Sequence, residues 1–309
     1  MKKRALLVGA LFLCLLFPFS TSVFAYSQIV AFGDSLSDNG PEDGDGFGRF
    51  TDPGGLVWVD YLAQDLGVGL LDMAYGAART YGNPYSPFST TDPLYVDSMF
   101  GFNWQVDKYL TMTNNIADPN NLYTVWIGGN DLLNLDGNRP GKVIVNAAIN
   151  IGSAIGALYD AGATDIVLMN MPNLGATPLM NGTIYDTPEY GESLSQGFNC
   201  SLAITQAIME WYLPDLNLFS VDIFALMDEF ITSGDLYFDN VTTMLKYDSD
   251  TEGQRYLFWD EIHPTTYAHE LIADAVYSQV APVPEPSTIV LMGLGLVGLA
   301  GLGRKKFRK

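Results

Sequence analysis

The chain has 309 residues, 48% hydrophobic and 16% charged, which is enough apolar material for a sizeable core and too much for a disordered tail. Its formal charge is −20, yet eight of its 15 basic residues sit at the two ends, so the stretch between them carries seven basic against 35 acidic residues, a net −28. So acidic a body repels phosphate backbones, and nucleic-acid binding is not expected. With two cysteines, one of them in the leader, the mature chain is left without an internal disulfide or a Cys-based zinc site.

In chain order, Lys2-Lys3-Arg4 is a basic start, residues 5–19 are an apolar run, and Val23-Phe24-Ala25 suits signal peptidase, so residues 1–25 read as a signal peptide cut after Ala25. The competing reading, an uncleaved N-terminal anchor, is disfavoured because the apolar run is short for a span of about 20 residues. Cys14 lies inside that run and is not a lipoprotein acylation site. The body, residues 26–281, suits one α/β domain. Gln28–Phe32 reads as a buried strand, Leu56–Leu66 as a helix, Leu122–Ile127 as a strand ending in Gly-Gly, and Val143–Ala161 as a long helix. Asp165–Asn170 follows as a strand, Ser195–Leu213 as a helix, Leu216–Val221 as a strand and Pro264–Val280 as a last helix. Strands alternating with helices predict a parallel sheet covered on both faces, with the functional residues in loops at the carboxyl ends of the strands. Those loops are 33–40, 74–80, 128–134, 171–178 and 259–263.

At the far end, residues 282–288 are Pro-Val-Pro-Glu-Pro-Ser-Thr, Ile289–Gly303 is apolar and Gly-rich, and Arg304, Lys305, Lys306, Arg308 and Lys309 close the chain. Physically this is a short membrane helix with a basic cytoplasmic stop. Residues 282–309 resemble the PEP-CTERM sorting signal of Gram-negative bacteria. That resemblance implies transient anchoring in the inner membrane, processing by an exosortase, and delivery to the cell surface or extracellular matrix.

Several loops hold residues that could do chemistry. Gly33-Asp34-Ser35 follows the first strand, where a small residue lets the chain turn sharply and present the Ser35 hydroxyl as a nucleophile; alone, the tripeptide is also ordinary turn chemistry. Asp260 stands three residues before His263, close enough to hold one imidazole nitrogen while the other acts as base. Pro264 suits a first helical position, which puts His263 near the helix cap. The other histidine, His269, sits beside the apolar face of the same helix and reads as structural. Gly128-Gly129-Asn130-Asp131 frees the backbone to approach a ligand and offers the Asn130 amide to a developing negative charge; the alternative is an Asx-type bend. Residues 72–80 are a further small-residue loop whose N–H groups could serve the same oxyanion. Cys200 reads as a buried structural thiol, and Asp43-Gly44-Asp45-Gly46 as a solvated turn without the twelfth-position Glu of a calcium loop. Tyr75, Tyr81, Tyr85, Phe88, Tyr95, Phe100, Phe102 and Trp104 either wall an acyl pocket or pack a long loop.

Taken in order, Gly-Asp-Ser, the small-residue loop, Gly-Gly-Asn-Asp and Asp-x-x-His resemble the four blocks of the GDSL or SGNH hydrolases. Arg49-Phe50-Thr51, Val57-Trp58-Val59-Asp60-Tyr61-Leu62, Met171-Pro172-Asn173-Leu174-Gly175 and His263-Pro264-Thr265-Thr266 extend the likeness to the phospholipase/lecithinase/hemolysin-like branch. The resemblance implies a three-layer α/β/α flavodoxin-like fold with a central parallel sheet, and hydrolysis of carboxylic esters (lipid, acetylated sugar or small ester) with neither metal nor cofactor. It makes Ser35 the nucleophile, His263 the base, Asp260 its orienter, and Asn130 with a second-block amide the oxyanion hole. Many relatives carry two glycines in that block where this chain has Gly76-Ala77, and Gly76 is the expected donor. A non-catalytic surface or matrix-binding protein that retains the fold is the alternative, and the intact Ser, Asn, Asp and His set speaks against it.

Overall fold

The computed structural model describes residues 26–40, 49–81, 100–135, 139–182, 186–233, 236–248 and 253–281. The expected signal peptide of residues 1–25, the sorting tail, residues 43–46, and Tyr85, Phe88 and Tyr95 lie outside the described residues. Five strands, β1 (Gln28–Gly33), β2 (Gly69–Asp72), β3 (Leu122–Trp126), β4 (Asp165–Met169) and β5 (Asn217–Val221), form one parallel sheet in the order β2-β1-β3-β4-β5. The central strands are near-continuous apolar runs because both of their faces are covered. Along β1 the side chains alternate: Val30 and Phe32 join the core on one side, Ile29 and Ala31 the core on the other.

The first side is covered by α2 (Phe102–Met112), α4 (Pro140–Asp160) and α5 (Pro188–Tyr212), the second by α1 (Trp58–Leu66), α6 (Ile223–Thr232) and α7 (Thr266–Val280); a short α3 (Gly129–Leu133) follows β3. This is the expected three-layer α/β/α arrangement with a flavodoxin-like strand order. The chain reverses its direction of travel across the sheet between β1 and β3, and in open sheets of this kind ligands bind at the carboxyl ends of the strands that flank the reversal. Ser35 follows β1 and Asn130 follows β3. Two glycines let these ends come together. A Cβ on Gly33 would lie 2.6 Å from the Trp126 carbonyl oxygen, and Gly128 has a φ of 117° with the Phe198 ring filling the place of its Cβ.

Several boundaries differ from the sequence reading. α5 starts at Pro188, seven residues before Ser195, because proline is favoured in a first turn where no N–H is needed. α7 starts at Thr266 rather than Pro264: Pro264 is bridged to Phe258, and Thr265 Oγ1 accepts the Ala268 N–H as an N-cap does. His263 is therefore on the loop ahead of the cap. β2, α2, α6 and a separate parallel pair, β6 (Asn240–Met244) with β7 (Tyr256–Phe258), were not anticipated. Among the described residues one helix, α4, is long and apolar enough to cross a membrane, but its Ile144, Ala147, Ile151, Ile155 and Leu158 face belongs to the core.

Candidate active site

Ser35 sits in the tight turn after β1, where the Asp34 carbonyl accepts the N–H groups of Ser37 and Asp38 at 2.9 and 3.0 Å. His263 and Asp260 arrive from the loop after β7, outside the main sheet. The three side chains form one chain: Ser35 Oγ is 2.9 Å from His263 Nε2, and His263 Nδ1 is 2.9 Å from both Asp260 oxygens. Burial pushes the Asp260 carboxyl up, but the His263 hydrogen bond and charge and the Ile262 and His263 N–H groups outweigh it, holding it below the usual carboxylate range. An ionised carboxylate only accepts, so Nδ1 carries the proton and Nε2 is left to accept from the Ser35 hydroxyl. This is the arrangement in which an imidazole can take a hydroxyl proton while a carboxylate stabilises the imidazolium.

A contact that the sequence reading missed steadies the ring. Phe50 lies over His263 with centroids 5.1 Å apart and planes tilted by 32°. Thr51 Oγ1 donates to the Pro264 carbonyl at 3.0 Å, and Asp52 accepts the Thr266 N–H at 2.7 Å, so the 49–52 segment clamps the chain that leads from His263 into α7. The signal was present as Arg49-Phe50-Thr51, but its partner lies more than 200 residues away.

Asn130 borders the same cavity as Ser35 and His263, and one of its amide protons goes to the Ala78 carbonyl at 3.1 Å. Its neighbour Asp131 accepts from the Thr80 N–H and hydroxyl at 2.9 and 2.8 Å, tying the third block to the second, and burial raises its carboxyl. The second block departs from expectation. The Gly76 N–H donates to Asp38 Oδ2 at 2.7 Å and is committed there. Ala77, held at a φ of 58° in the left-handed region, has an N–H without a partner among the described residues.

His269 is fully buried, and its Nδ1 accepts the Trp58 N–H at 3.3 Å. Burial, with the His263 charge, pulls its pKa down to about 3, so it stays neutral as a structural imidazole. Cys200 is exposed, contrary to expectation: α5 turns Leu194, Phe198, Leu202 and Met209 inward and Cys200, Ile204 and Ile208 outward. None of the described aromatics after the second block lines the Ser35 cavity: Tyr81 is exposed, and the others pack. Tyr75 stacks on Phe100 at 4.5 Å, Trp104 abuts both edge-on, and Phe102 is in the core. Among the described residues no group of three or more His, Cys, Asp or Glu side chains could hold a metal ion.

The model of the GDSL-like lipase/acylhydrolase family matches residues 29–276, which include every loop just described. The chain belongs to this family. This GDSL hydrolase also carries a match to the PEP-CTERM protein-sorting motif over residues 282–305. It is 31% identical to Lipase 1 of Photorhabdus luminescens over 57% of its own length and 27% of that protein. It is 26% identical to the thermolabile hemolysin of Vibrio parahaemolyticus over 80% of its own length and 62% of that protein. An acetylesterase of Thermothelomyces thermophilus is 27% identical, over 80% of this chain and 86% of that one. In fold it is similar to a crystal structure of a GDSL-like lipase from Parabacteroides merdae, with a TM-score of 0.50, 14% identity, and coverage of 82% of this chain and 95% of that one.

Proposed function

We propose that this GDSL hydrolase is a secreted serine esterase that cleaves carboxylic esters through an acyl-enzyme on Ser35. The observation that carries this reading is the unbroken Ser35–His263–Asp260 chain, with every link at 2.9 Å. His263 Nε2 takes the Ser35 proton as Oγ bonds to the ester carbon. The carbonyl oxygen becomes an oxyanion, served by the free Asn130 amide proton and the Ala77 N–H in place of Gly76. When the tetrahedral adduct collapses, the bond to the alcohol oxygen breaks and the proton on Nε2 goes to that oxygen, releasing the alcohol. Water then loses a proton to His263 and attacks the acyl carbon. Carboxylic acid leaves, and Ser35 regains its proton.

The acetylesterase and lipase relatives support a hydrolase of esters. For delivery, the reading is a signal peptide of residues 1–25, a hydrolase body of 26–281, and a sorting tail of 282–309 processed by an exosortase after transient anchoring in the inner membrane. The test of catalysis is turnover of p-nitrophenyl butyrate. Ser35→Ala and His263→Ala should each lower kcat by orders of magnitude, and the double change should cost little more, because the residues act as a unit. Wild-type turnover no higher than that of Ser35→Ala would leave the surface-binding alternative.

A further inference from the structure

A cavity of about 70 Å³ opens beside Ser35, Asn130 and His263 and runs beneath α6. Its lining is overwhelmingly apolar. From α6 it takes Ile223, Leu226, Met227 and Phe230, which at spacings of three and four residues form one helix face. Met171 and Ile272 also line it.

Such a face would ordinarily fill its own space. Here the helix is held in place by polar contacts at its start. Asp222 caps it by accepting the Ala225 N–H at 3.0 Å, the Asn170 amide donates to Asp222 at 2.8 Å, and Asn170 Oδ1 accepts the Phe224 N–H at 3.0 Å. The Asn170 carbonyl in turn accepts from the Trp126 indole at 3.1 Å, and Trp126 also borders the cavity. The wall is thus fastened to the ends of β3 and β4, the same framework that carries the site.

We propose that the acyl chain of the ester occupies this cavity, with Leu226, Met227 and Phe230 as its end wall, so that α6 sets the acyl length the enzyme accepts. The inference rests on the esterase reading above. The volume holds roughly five to seven water-sized groups, which corresponds to acyl groups of about four to eight carbons. The acyl side of the ester is the side that fits. The acyl group stays on Ser35 until water arrives, whereas the alcohol must leave first, and a recess closed by a fixed helix suits the group that stays.

The test is kcat/KM for p-nitrophenyl esters from acetate to palmitate, with acetate esters of lengthening alcohols as a second arm. Wild type should peak between four and eight carbons and fall at least about tenfold by twelve, since methylenes in a closed apolar pocket discriminate on that scale. Phe230→Ala should raise the twelve-to-four-carbon ratio by about tenfold or more, and Leu226→Trp, at a half-exposed position, should lower the eight-to-two-carbon ratio by a similar factor. An optimum at two carbons or at twelve and beyond overturns the proposal even if neither variant folds. So do ratios that both variants leave within threefold of wild type, or discrimination that follows alcohol length instead. Because the leaving group is constant in the first arm, Ser35-dependent turnover with the wrong profile sinks the pocket alone. Turnover independent of Ser35 at every length sinks the esterase reading with it.

Discussion

The two histidines, six residues apart, have opposite surroundings, and that difference decides what each can do. His263 has a carboxylate on one nitrogen and a hydroxyl on the other. His269 has a backbone N–H on Nδ1 and, among the described residues, no partner for its buried Nε2. A base must be able to gain a proton; the buried imidazole, with its pKa near 3, cannot do so at neutral pH. His269→Ala should therefore keep ester turnover within severalfold of wild type. It should also lower stability by about 1–3 kcal/mol, because the Trp58 N–H loses its acceptor inside the core. His263→Ala should show the converse, with kcat lost and the melting temperature nearly kept. A His269→Ala enzyme that is folded but dead would mean the base has been misassigned. The same scale shows where sequence reasoning ran out. The Asp-x-x-His spacing made the His263–Asp260 pair legible. The Gly76 amide, by contrast, is withdrawn by Asp38, a partner 38 residues away that no local pattern announces.

Among the elements, what could be read in advance were those whose burial is continuous. β1, β3 and β4 are apolar runs that end where the chain must turn, and α4 has a regular inward face, so each stands out from the sequence around it. β2 is a four-residue edge strand, half-exposed along most of its length, and β6 is polar and short; neither has a periodicity to detect. α6 did have one, with Asp222 as its cap and Ile223, Leu226, Met227 and Phe230 on one face, and it lines the cavity beside Ser35. Position also mattered. The Asp260–His263 loop looks in sequence like another strand end of the main sheet, yet it follows β7, and its register depends on the 49–52 clamp. Asp52→Ala removes the acceptor for the first N–H of α7, which should cost about 1 kcal/mol of stability. It should also lower kcat by about tenfold, since a loosened base misses the geometry for proton transfer. A pH–rate profile with unchanged shape and reduced height would be the signature. An unchanged kcat would mean that Phe50 and the Asp260 contacts hold the loop without the clamp.

For the whole molecule, charge and burial act in the same direction. Burial pushes the Asp34 carboxyl up to about 7, lifts Asp72 well above its ordinary value, and raises Asp131. Each keeps a proton in the folded state at pH values where the unfolded chain, titrating near 4, has lost it. Their contribution to stability is therefore lost as pH rises, for Asp34 through about pH 7. His269 works the other way: the unfolded chain takes up a proton below about 6.5 and the folded one refuses it until about 3, so its contribution is lost as pH falls through that range. Over about pH 4 to 6.5 the imidazole offsets the Asp34 carboxyl, and Asp72, raised well above its ordinary value, adds to the fall in stability with rising pH. Each uncompensated proton is worth about 1.4 kcal/mol per pH unit. Self-repulsion in a chain of net charge −20, also weaker in acid, adds to the same slope. The melting temperature should therefore be several degrees higher at pH 5.5 than at pH 8. About 0.5 M NaCl should raise the pH 8 value more than the pH 5.5 value, because salt screens surface repulsion and leaves the buried carboxyls untouched. Asp34→Asn keeps an oxygen to accept the Leu36 N–H and removes the titration, so it should flatten the part of the slope below pH 7 that salt does not abolish. A melting temperature that climbs steadily from pH 5.5 to 8 would show that the buried carboxyls hold no excess protons over that range, since the lowered Asp260 and Asp239 carboxylates affect stability only nearer pH 4 and below.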